Sequence, residues 1–268
     1  MKKFFIATLA AIILLCNAAN AKPVNDRETI YQVALLQSLA MGCFDGSVTV
    51  KDLKTFGDTG IGTFDGLDGE MIFLDGVVYR ANQDCKINVV ADKVTIPFSN
   101  VTFFSEDAGG VFYDEYPTKN LLEEALNEFL ANENMTNRFY MIKLHGDFNS
   151  ITVRSEAKQS KPYPTLVAAL QATQKEFTFK NISGTIVGLY CPDFMSSLNS
   201  TGWHFHFISD DKKIGGHVLE LNLKSCTFHL DKTDAFRMIL PNNADFDALN
   251  FKTDLKEDIR KAEQDSYR

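Results

Sequence analysis

Hydrophobic and polar positions alternate with a period of two along much of this chain, the period of β-strands. The sharpest run is GWHFHFIS, where Trp203, Phe205 and Phe207 interleave with His204 and His206. Residues two apart share a strand face, so both imidazoles point one way and the aromatic rings the other. A polar, glycine-containing turn, SDDKKIGG, leads to a second alternating run that opens at His217. If the two runs pair as a hairpin, His217 lies beside His204 and His206. Three imidazoles then converge, as in a catalytic zinc site that keeps one position open.

The pattern predicts further elements. A helix is expected from about Glu28 to Met41, on the spacing of Ile30, Val33, Ala34 and Leu36. A hairpin is expected with arms Met71–Leu74 and Val77–Arg80, because Asp75-Gly76 is a strong two-residue turn signal. Short strands are expected at 86–91, 94–98 and 101–104. The clearest helix follows Thr118, with Leu121, Leu122, Ala125, Leu126, Phe129 and Leu130 on one face. Two strands, 138–144 and 150–155, are expected to be joined by a turn at HGDFN. A short helix at 165–172 and strands at 177–179, 185–190 and 225–230 complete the list. The tail, 254–268, is highly charged, and composition alone reads it as solvated.

The N-terminus changes the picture of the whole. Lys2 and Lys3, an apolar run from Phe4 to Leu15 and the small-x-small step Ala19-Asn-Ala21 form a secretory signal peptide over residues 1–21, cut after Ala21. Leu15 before Cys16 does not suit a lipoprotein. Residues 22–268 are then exported, to periplasm or medium, with no later span for a membrane. The formal charge is −8 with no basic block, which argues against a nucleic-acid partner. Cys43, Cys85, Cys191 and Cys226 survive cleavage, and in an exported chain they allow disulfides. Their wide spacing contains no C-x-x-C.

Other candidates are weaker on pattern alone. The Gly-rich stretch from Gly57 lacks the Lys-Ser/Thr of a phosphate loop. Glu70 at the mouth of the hairpin reads as a surface carboxylate, and Arg154 as a surface cation beside Glu156. His145 reads as a loop residue, and His229 has no ligand spacing. Three classes stay open for the His-x-His hairpin: a metal-dependent enzyme, a cupin-like oxygenase or isomerase, and an exported metal-binding protein with no reaction. A cupin would place a glutamate about where this chain has Asp210.

Longer blocks carry a resemblance. YQVALLQSL, GDTGIGTFDGLDGEM, LDGVVYRA, VRSEAKQSKPYP, GTIVGLY, GWHFHFISDDKKIGGHV and LPNNADF occur in order. Together they resemble the α-acetolactate decarboxylase family over nearly all of residues 22–268. The resemblance implies an α/β fold of two lobes with mixed and antiparallel sheets, about 28–180 and 181–253, and a homodimer. The tail, 254–268, would fold back over the site. The resemblance also implies Zn2+ on His204, His206 and His217. Glu70, Arg154 and Glu263 are the implied catalytic residues, and Thr63 lines the implied substrate pocket. The implied reaction takes (S)-2-acetolactate, a small 2-hydroxy-3-oxo acid, to (R)-acetoin and CO2.

Overall fold

The computed structural model describes residues 26–132, 136–196 and 198–264. The expected signal peptide lies outside them. Strand is the commonest regular structure among the described residues, and nearly all of it lies in two large sheets. The seven-stranded sheet is mixed. From edge to edge it runs Ala235–Ile239, Thr29–Val33, Ser99–Thr102, Thr59–Thr63, Glu70–Leu74, Val77–Ala81 and Ile87–Val89. Its one parallel pairing joins Thr29–Val33 to Ala235–Ile239. The second sheet is antiparallel. It runs Phe139–Ser155, Lys175–Cys191, Gly202–Ser209, Gly215–Thr233 and Ala108–Phe112. The first of these strands also pairs with the fourth, so four strands close on themselves.

That closure fixes the core. Trp203, Phe205 and Phe207 turn inward and pack with Phe148, Ile151, Val153, Leu221 and Phe228. Helix Lys119–Asn132 covers this sheet with Leu122, Leu126 and Leu130, the stripe its periodicity predicts. On the other sheet the Asp75-Gly76 turn has φ of 50° and 80°, as a two-residue hairpin turn requires.

Several expected elements differ. The first predicted helix is a strand, Thr29–Val33, followed by the short helix Leu36–Ala40. All five strand residues are buried, so no alternation marks the strand, and the spacing of Ile30, Val33 and Ala34 imitates a helix. Ala34, at φ 58°, separates the two. No turn occurs at HGDFN. Phe139–Ser155 is one strand, hydrogen-bonded on both sides, and bulges around Phe148 absorb the irregularity. The lobe boundary expected near residue 180 falls inside the strand Lys175–Cys191. The sheets divide the chain differently, because Ala235–Ile239 returns from the second sheet to pair with Thr29–Val33 in the first.

The four cysteines are free and buried. Burial pushes the Cys191 and Cys226 thiols up to about 12, and Cys43 and Cys85 are raised for the same reason. Thiolate is the reactive form, so folded protein is expected to resist iodoacetamide at all four positions. Labelling appears only on unfolding, and rapid modification of any one in folded protein would contradict this packing.

Candidate active site

The site forms where the two sheets and the C-terminal helix meet. Strands Gly202–Ser209 and Gly215–Thr233 pair over only three positions, ending at His206↔His217. Beyond that point Gly215–Thr233 takes a new partner, and Arg154 sits directly across from His217. His204 lies two residues past the end of the pairing, on the same face as His206. The splayed strands therefore present three imidazoles and a guanidinium to one side. The opposing sheet supplies a second cross-strand pair, Thr63↔Glu70. Gly69, at φ +81°, brings its neighbour Glu70 into place, and a Cβ there would meet the Ala81 carbonyl oxygen at 2.2 Å. The Gly69 carbonyl in turn accepts from Thr63 Oγ1, at 2.8 Å.

The last partner comes from helix Lys256–Gln264. Ile259, Ala262 and Glu263 fall at i, i+3 and i+4, on one face. Ile259 and Ala262 pack among Leu36, Leu39, Phe98, Leu166 and Leu170, and this docking carries Glu263 to the histidines. Glu263 Oε2 lies 3.3 Å from His204 Nε2, and Glu70 Oε2 lies 3.5 Å from His206 Nε2.

Hydrogen bonds fix the imidazole tautomers. His206 Nδ1–H donates to the Met71 carbonyl at 2.7 Å, and His217 Nε2–H donates to the Glu263 carbonyl at 2.9 Å. The inward nitrogens are then lone pairs. His204 Nε2 lies 3.1 Å from His206 Nε2 and 3.0 Å from His217 Nδ1. Burial holds all three histidines in the neutral form, with His204 lowered to about 3. His206 and His217 thus present lone pairs inward, and with His204 Nε2 turned to the same point the three form a group that could hold a metal ion. Tetrahedral zinc–imidazole bonds place ligand nitrogens about 3.3 Å apart, close to the spacing here. The outer bonds to backbone carbonyls are the usual support of such ligands.

A cavity of about 30 Å³ adjoins the trio, lined on its polar side by Thr63, Glu70, Arg154, Glu156 and Glu263. Leu39, Leu67, Phe98 and Leu166 form its apolar wall. All seven residues implied by the resemblance meet here. Arg154 is 3 % exposed, the reverse of the surface reading. Its Nη1 donates to Gln174 Oε1 at 2.9 Å, and Gln174 Nε2 donates to Glu176 Oε1. Its Nε is buried without a partner.

Glu156 is the residue the sequence reading missed. It is 2 % exposed, and neither carboxylate oxygen has a donor. Its carboxyl is pushed up to about 7, first by burial, against the pull of Arg154. Glu70 is raised as well, by burial and then by Glu156. As two carboxylates they can only repel; a proton between them turns the contact into a hydrogen bond. The available signal was alternation, since Thr152 and Arg154 share one face of the strand and Glu156 continues the spacing just past its end at Ser155. Asp210, the cupin-like position, instead meets exposed His145 at 3.1 Å, away from the trio.

Comparison with known proteins decides the family. The sequence model of the family described as alpha-acetolactate decarboxylase matches residues 30–253. The chain belongs to the alpha-acetolactate decarboxylase family. The alpha-acetolactate decarboxylase of Methanosarcina mazei is 39% identical over 240 residues, which span 90% of this chain and 82% of that one. The Bacillus subtilis enzyme is 35% identical over 253 residues, 94% of this chain and 96% of its own. A crystal structure of alpha-acetolactate decarboxylase from B. subtilis superposes with a TM-score of 0.84, covering 88% of this chain and 99% of that one. Membership makes the chain a carboxy-lyase acting on a small molecule, with no nucleic acid involved. Glu263 lies beyond the part of the chain that the family model matches.

Proposed function

We propose that this alpha-acetolactate decarboxylase converts (S)-2-acetolactate to (R)-acetoin and CO2, with zinc on His204, His206 and His217. One observation carries the reading. A trio of inward-facing imidazole nitrogens shares a cavity with one spare donor, Arg154 Nε, and the buried carboxyl of Glu156. A 2-hydroxy-3-oxo acid supplies the complements, a carboxylate to accept and a hydroxyl to donate. The apolar wall receives its methyl groups.

Loss of CO2 from such an acid leaves an electron pair that must move onto the ketone oxygen. His204, His206 and His217 would hold zinc, which would supply Lewis-acid stabilisation of the developing negative charge. Arg154 holds the substrate anion in line, its guanidinium braced by Gln174. Glu70 and Glu263 flank the trio, and burial raises both, so each can carry a proton at neutral pH. Carbon takes up one proton as CO2 leaves, which balances the reaction. The sidedness of the cavity, carboxyls on one wall and leucines on the other, favours one face for that delivery.

Export after cleavage at Ala21 and assembly as a homodimer belong to the same proposal. No helix among the described residues is long and apolar enough to cross a membrane. The test is acetoin formation from racemic acetolactate by mature protein, before and after chelation and zinc return. Rapid consumption of one enantiomer, lost on chelation and regained with zinc, is the expected result. Stoichiometric metal without acetoin would overturn the reaction while keeping the metal site.

A further inference from the structure

A second group of convergent ligands lies away from the histidines, where the turn before the first strand meets the antiparallel sheet. Glu28 ends the turn Asp26–Glu28, Asp107 precedes the edge strand Ala108–Phe112, and Asp231 stands near the end of Gly215–Thr233. Carboxylate oxygens from the three lie within 4.8 Å of one another. Asp231 is fully buried, and neither of its oxygens has a hydrogen-bond partner. Two backbone bonds hold Asp107 over it. The Asp107 amide donates to the Leu230 carbonyl, and the Lys232 amide donates to Asp107 Oδ2, both at 2.9 Å.

We propose that Glu28, Asp107 and Asp231 bind a hard divalent cation, calcium before magnesium. The donors are all oxygen, which suits calcium or magnesium and not the borderline metals that imidazole prefers. Oxygens bound at 2.3–2.6 Å to one centre can be no more than about 5 Å apart, and this set meets that limit. Three separate segments supply them, an irregular set that calcium tolerates better than magnesium does. Exposed Asp107 gives an entry from solvent, while Asp231 forms the floor. The neighbourhood supports the reading. Burial pushes the Asp231 carboxyl up to about 7, and Asp107, Glu28 and Asp58 push the same way. The Ser105 N–H, short of hydrogen-bond geometry, pulls against them. Thr233, two residues along the same strand, adds another buried hydroxyl without a partner. A bound cation would tie the strand that starts at Thr29 to the antiparallel sheet.

The experiment uses mature protein stripped with EDTA and given back zinc, then titrated separately with calcium and magnesium chloride. Equilibrium dialysis counts bound calcium, and thermal unfolding follows stability. The expected result is one calcium per chain beyond zinc, with a saturable rise in Tm of about 3 °C. Asp107→Asn and Asp231→Asn should each weaken binding at least tenfold while leaving acetoin formation unchanged. Asp231→Asn removes a buried negative charge at constant shape, so it should fold at least as stably without calcium. Absence of saturable binding of either cation below about 10 mM would overturn the site. Binding that persists in both variants would overturn it too, and would leave Asp231 as a buried neutral acid.

Discussion

Alanine at His206 is expected to lower kcat/KM for acetoin formation by at least about 10³-fold, since a lost Lewis acid removes several kcal/mol of transition-state stabilisation. His206 is the best single probe of the trio. It is buried, it faces His217 directly across the strand pair, and its Nδ1–H is tied to Met71 on the other sheet. Metal content should fall with activity, and added zinc should not restore either. His145→Ala and His229→Ala serve as controls, because both histidines pair with exposed carboxylates well outside the cavity. A His206→Ala protein that keeps one zinc and its turnover would remove the trio from the reaction.

Arg154→Met should be the second most damaging change, with a loss of about 10²–10³ in kcat/KM, the range found when one aimed donor is removed from a polar active site. It should also lower stability in a pH-dependent way. Arg154 works against the rise in pKa of Glu70, Glu156 and Glu263, and without it those carboxyls move further up. An acid raised in the folded state contributes its stability below its unfolded pKa, near 4.5, and loses it as pH climbs through the folded value, about 7 for Glu156. The variant's deficit in Tm should therefore widen from pH 5 to pH 8 on the order of the shift in proton uptake, and narrow again in acid. Arg154→Lys separates the two effects. The charge remains, so stability should largely return, but lysine cannot reproduce both the bond to Gln174 and the free Nε donor, so activity should not. Equal recovery of both would show that charge alone matters at this position.

The legible parts of the site were those whose geometry is local. His204 and His206 share a face by the period of a strand, and one turn brings His217 opposite, so three ligands could be read from a stretch of consecutive residues. Glu70 and Arg154 look like surface charges in sequence because their burial is created by another sheet, from residues far along the chain. Glu156 was hidden for the same reason. Glu263 sits in a segment whose composition is that of a solvated tail, and only the spacing of Ile259 and Ala262 hints that one face docks. Resemblance to a family pointed to Thr63, Glu70, Arg154 and Glu263 where pattern could not. In the fold, the long strands Phe139–Ser155 and Lys175–Cys191 were each read as two pieces, because glycine and polar residues mid-strand resemble turn signals when bulges are not foreseen. The strand Thr29–Val33 failed in the opposite way, since a strand buried on both faces has no alternation to show.

The bond from His206 to the Met71 carbonyl spans 135 residues of sequence and joins one sheet to the other. Contacts of such separation form late in folding, because a large loop must close before anything rewards it. The tautomer that this bond holds is therefore expected only once the two sheets have docked. Enzyme activity becomes a clock for the slowest event. In a refolding experiment, helical signal and sheet signal should return first, and decarboxylation should appear only with the final phase, when the two halves have found each other.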